Sequence, residues 1–127
     1  MWWFNKGERR EIWDEEIQWP IGDIEAAHKI RLICRSAADS AEKVADTGAR
    51  SEKDRTYEAE RYERAAKAAM EIAMKISDDL LRDSSVRQIV SLCMKASDLR
   101  TARILLRAIQ AASIRNELVS DHPVLRE

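Results

Sequence analysis

Few residues in this sequence have the type and spacing that chemistry requires. Glu25-Ala-Ala-His28 sets a carboxylate and an imidazole one helical turn apart, the unit from which di-iron helical bundles build their centres. Such a centre needs a second Glu-x-x-His and two further Glu from neighbouring helices. The other histidine, His122, has Val119 three residues before it, so His28 is expected to be a solvated or partly packed histidine and no metal site is expected at Glu25 and His28. Cys34 follows His28 by six residues, which puts the two on different faces of one helix and rules out a nucleophile–base pair. The chain contains no Gly-rich phosphate loop, no Gly-x-Ser-x-Gly and no His-Glu-x-x-His, the spacings that would announce phosphoryl transfer, ester hydrolysis or zinc proteolysis. No cofactor and no enzymatic activity are expected.

Two clusters suit binding better than catalysis. Trp2, Trp3, Phe4, Trp13 and Trp19 fall within the first 19 residues. Trp concentrates at protein interfaces because it buries a large area and still offers one donor. This segment either folds back to cap the helices or docks against another protein or a second copy of the chain. A membrane anchor is disfavoured by Asp14, Glu15 and Glu16, which anionic lipid repels. The second cluster is basic: residues 84–116 carry Arg87, Lys95, Arg100, Arg103, Arg107 and Arg115 against Asp98 alone. Arg100, Arg103 and Arg107 share one helical stripe, a pattern that can contact phosphates and would make binding salt-dependent. A break at Ser97-Asp98 even allows a helix-turn-helix reading. The competing reading pairs these Arg with acidic residues of the same chain.

The elements that carry these residues follow from apolar periodicity. Ile30, Ile33, Ala37, Ala41 and Val44 step by three or four, which predicts a helix over 23–47, with Asp23 as cap and Gly48 as a left-handed stop. Ser51 with Asp54 resembles a capping box. Beyond it Ala59, Tyr62, Ala66, Ala69, Ala73, Ile76 and Leu80 form a heptad seam, predicting a second helix over 51–83. On its outer face, Glu60–Arg64, Glu63–Lys67, Glu71–Lys75 and Asp78–Arg82 are placed as i,i+4 ion pairs. Ser85 with Gln88 opens a third helix over 85–119, in which two successive steps of three around Ser97-Asp98 predict an overwinding, a kink or a break. Pro123 ends it, leaving a tail over 120–127.

The chain has 127 residues, enough for one domain, with 22 basic and 23 acidic side chains and 45% apolar residues. Only 3 Gly and 2 Pro are present, too few for the turns of a sandwich or barrel. The expected fold is therefore all-α: an elongated antiparallel three-helix bundle with a short aromatic-rich N-terminal helix or arm over residues 1–22. In that register Cys34 lies level with residue 103, about 15 Å along the axis from Cys93, beyond the reach of a disulfide. With no paired cysteine framework, no signal-peptide core and no membrane span, the expected setting is a reduced cytoplasm. These features favour a non-catalytic helical protein–protein interaction module, such as an adaptor, inhibitor or regulatory subunit. The alternative is a nucleic-acid-binding regulator acting through Arg100, Arg103 and Arg107.

Overall fold

A computed structural model of the chain describes residues 11–46, 48 and 51–126. Among them are five α-helices, α1 (Asp23–Ala45), α2 (Glu52–Ala73), α3 (Asp79–Lys95), α4 (Leu99–Ala108) and α5 (Ala112–Asp121), with short 3-10 turns at Ile12–Asp14 and Pro123–Leu125 and no strand. Five helices replace the expected three: the boundary expected near 84 falls at 74–78, the third helix breaks at 97–98 as its periodicity allows, and it breaks again at 109–111 where periodicity shows nothing.

Helix α1 buries Ile30, Ile33, Ala37 and Ala41 on one stripe, as the 3/4 spacing requires. Its N-cap is Gly22 rather than Asp23. The Asp23 carboxylate reaches across the fold instead, accepting the backbone N–H groups of Ser77 at 3.1 Å and Asp78 at 2.9 Å. The helix ends at Ala45 because Asp46 turns extended and its side chain accepts the Gly48 N–H at 2.9 Å. Gly48 is not left-handed, so the glycine stop is corrected to an aspartate-made turn.

Helix α2 starts as expected, with Ser51 Oγ accepting the Asp54 N–H at 3.1 Å. It does not run to residue 83. Ala69, Ala73 and Ile76 are buried, but Leu80 is exposed, because the chain turns through Met74–Asp78 before the seam can continue. Ile76 plugs the inside of this turn, and the Asp78 side chain accepts the Leu81 N–H at 2.8 Å, capping a new helix. Ser85, expected as a cap with Gln88, lies buried inside α3. None of the four expected i,i+4 ion pairs forms: Arg64 pairs with Asp14 and Arg82 with Asp79.

The break at Ser97-Asp98 is present. Ser97 takes a left-handed φ of 60°, donating its N–H to Met94 O at 3.0 Å, while Asp98 N–H reaches Cys93 O at 2.9 Å. This is a Schellman ending with serine where glycine is usual, at a cost of about 1–2 kcal/mol for the Cβ. Asp98 then caps α4, accepting the Thr101 N–H at 3.2 Å, and takes a hydrogen bond from the Tyr62 hydroxyl at 2.7 Å. Burial foremost, with Cys93 and Asp98 beside it, pushes the Tyr62 hydroxyl pKa up.

The second unforeseen break lies at Ile109–Ala111. Asp83, buried in α3, accepts the N–H groups of Gln110 at 3.1 Å and Ala111 at 2.9 Å. From the other side Arg115 donates to the carbonyls of Ile109 and Gln110. A carboxylate and a guanidinium thus satisfy two of the backbone N–H groups and two of the carbonyls that starting one helix and ending another expose.

The helices pack as a bundle in which α1 lies against α2 and α3, α4 lies against α3, and α5 lies against α3. End-to-end contacts fix the directions. The start of α1 meets the α2–α3 turn through Asp23, whereas its end meets the start of α2 through Lys43 and Glu58, so α1 and α2 are antiparallel. Lys95 near the end of α3 approaches Glu42 near the end of α1, so α3 runs with α1.

The early turn at 74–78 shifts the register of α3. Cys34 faces the stretch from Arg87 to Lys95 across a shared groove, not residue 103, and Cys93 is near enough to add to the rise in its pKa. The 15 Å separation is thereby corrected; both cysteines are free thiols.

Candidate interaction surface

Residues 11–21 form a strap over α1 and α2, and its anchors are unlike one another. Trp13 is buried and Arg61 of α2 stacks over its ring, 5.1 Å from the guanidinium carbon to the ring centre. Arg61 also donates to Ser40 Oγ at 2.9 Å and pairs with Glu11. Arg64–Asp14 and Lys29–Glu15 add two further ion pairs between the strap and the helices. Acidic residues 11, 14 and 15 therefore serve to hold the strap, and Trp13 closes the core beneath it.

Trp19 behaves differently. It is 39% exposed, with Lys75 stacked over its ring at 5.2 Å. Lys75 belongs to the α2–α3 turn, and that turn is tied to the start of α1 by Asp23. The same end of the molecule presents Ile24 at 81%, Met74 at 69% and Leu80 at 61% exposure. Four large apolar side chains thus lie around one turn, where solvated surface normally carries them singly. Asp23 keeps this end rigid: hydrogen bonds from the backbone of Ser77 and Asp78 hold its carboxyl below the usual carboxylate range.

The sequence points to Trp19 here but misses Ile24, Met74 and Leu80. Leu80 reads as a core residue because it continues the heptad seam, and Met74 follows Ala73 of that seam. Only the turn at 74–78 separates them from the core. Trp2, Trp3 and Phe4 lie outside the described residues.

The three Arg of the basic stripe are brought together on α4 but not left equivalent. Arg100 and Arg107 are exposed, whereas Arg103 is half-buried and donates to the Val124 carbonyl at 3.1 Å, fastening the C-terminal turn. Arg100 adds its charge to the environment of Asp98.

The residues with nucleophile or ligand chemistry are not assembled. His28 is exposed on α1. Burial, reinforced by Cys93, pushes the Cys34 thiol up to about 12, and burial raises Cys93 to about 11. Both stay protonated near neutrality and lack thiolate reactivity. Among the described residues no group of three His, Cys, Asp or Glu could hold a metal ion, and no helix is long and apolar enough to cross a membrane. The chain matches no protein-family model, no curated protein and no solved structure.

Proposed function

We propose that the chain is a non-catalytic helical protein–protein interaction module, in which α1–α3 form an antiparallel three-helix core and residues 11–21 strap it. The observation that carries this reading is the apolar end formed by Trp19, Ile24, Met74 and Leu80. Exposed aliphatic and aromatic side chains around a rigid turn gain free energy when a second protein surface covers them, about 25 cal/mol for each Å² of apolar area removed from water. The partner is another protein or a second copy of the chain, met in a reducing, cytoplasmic setting that suits the two free thiols.

Ile24→Glu combined with Leu80→Glu tests this. Both residues are exposed, so the helical circular dichroism should be unchanged, while self-association in sedimentation, or retention of a co-purifying partner, should be lost. A wild-type chain that sediments as a monomer and holds no protein that the double variant fails to hold would sink the reading. The nucleic-acid alternative through Arg100, Arg103 and Arg107 is weakened by the structural use of Arg103.

A further inference from the structure

A second surface lies on the flank of the bundle, where α1 and α3 run side by side. They enclose a groove of about 350 Å³ floored by Cys34 and Leu92. Arg31 and Arg35 of α1 stand on one bank, and Arg87 and Lys95 of α3 on the other; no carboxylate lines it. Arg87 is engaged by Glu117 at 2.5 Å, and Lys95 has Glu42 at 3.9 Å. Arg31 and Arg35 have no hydrogen-bond or ion-pair partner among the described residues, and Asp39, the acid nearest to Arg35 in sequence, is turned to Lys43. Two like charges four residues apart on a helix are unfavourable to the isolated chain, so this pair adds nothing to folding that would account for it.

We propose that this groove docks an acidic amphipathic segment of a partner protein, with carboxylates on Arg31 and Arg35 and apolar side chains on the Cys34–Leu92 floor. Guanidinium forks match carboxylates in two-bond geometry. The spacing of Arg31 and Arg35 equals one helical turn, so acids at i and i+4 of a docked helix would meet both. The floor stays apolar because the Cys34 thiol, pushed up by its burial, remains uncharged. A nucleotide fits less well: no aromatic ring lines the groove for a base to stack on. Duplex DNA would meet the cations with its phosphates alone and leave the apolar Cys34–Leu92 floor unused.

The inference rests on the reading of the chain as an interaction module but not on the apolar end, so the two can fail separately. The test selects binders to the full-length chain from an unbiased displayed library of random peptides. The selected sequences should be enriched in Asp and Glu at helical spacing beside an apolar residue. Arg31→Glu with Arg35→Glu should weaken a selected peptide by about tenfold or more at unchanged helicity, and the milder Arg31→Gln with Arg35→Gln should weaken it less. Ile24→Glu with Leu80→Glu should leave peptide affinity intact. Selected peptides without acidic enrichment, an affinity indifferent to both Arg pairs, or displacement of the peptide by ATP or a short DNA duplex would overturn the proposal. The association test at Ile24 and Leu80 would still stand in each of those cases.

Discussion

Asp83→Ala should be among the most destabilising single changes in this chain. The side chain is 2% exposed, and one oxygen accepts both the Gln110 and Ala111 N–H groups. Hydrogen bonds to a charged acceptor contribute about 1.5–3 kcal/mol each, so their joint removal costs about 3–6 kcal/mol gross. Alanine also removes a buried carboxylate whose desolvation opposes folding, which offsets part of that loss. Helix α5 has no side-chain cap of its own at Ala111, so nothing substitutes at the exposed amides. The net expectation is about 2–4 kcal/mol, a large share of the 5–15 kcal/mol typical of a domain. Urea denaturation followed by circular dichroism measures it, and hydrogen exchange should show the Gln110 and Ala111 amides losing protection first. Asp83→Asn keeps an acceptor oxygen in place and should lose about half as much. An alanine variant within about 0.5 kcal/mol of wild type, or an asparagine variant as unstable as the alanine one, would refute the bridging role.

Trp13→Ala should cost about 3–5 kcal/mol, because it empties a buried site and removes the ring under Arg61; Trp19→Ala should cost far less, and equal losses in urea titrations would contradict the division of the strap into anchor and exposed surface. Stability should also fall at both pH extremes, read as the urea midpoint against pH. On the alkaline side the folded thiol values of about 12 for Cys34 and about 11 for Cys93 lie above the unfolded value, so their contribution is complete below about pH 8.5 and is lost as pH rises toward the folded values. On the acid side Asp98 is disfavoured as an anion by burial, but hydrogen bonds from Tyr62 and Thr101 and the charge of Arg100 prevail and lower its pKa. Its contribution is present above the ordinary carboxylate range and disappears as pH falls through the depressed value. A flat alkaline limb up to pH 12 would show that the thiols are not desolvated.

The apolar stripe of α1, the Ser51 cap and the break at 97–98 were legible because each depends on residues within one or two turns of each other. The ends of α2 and α4 were not, for a shared physical reason. The turn at 74–78 closes on Asp23, and the turn at 109–111 closes on Asp83 and Arg115. A long-range acceptor can end a helix whose own sequence would continue it, and periodicity carries no trace of that acceptor. The same limit hid the candidate surfaces. Leu80 continues a seam on paper but stands outside it in space, and Arg31 and Arg35 become a bank of a groove only once α3 has shifted by several turns relative to an uninterrupted helix.

The Asp23 bond to the α2–α3 turn joins groups 54 and 55 residues apart in the chain. Assembly therefore has a direction. The α1–α2 hairpin forms from comparatively nearby contacts, and only when α2 has folded back does the turn reach Asp23 and give α3 its origin beside α1. The cost of closing that loop falls on the hairpin and not on α3, which adds to a surface already made. A nascent chain can hence mature from its N-terminal side, with α4 and α5 settling last and closing over Asp83 to complete the core.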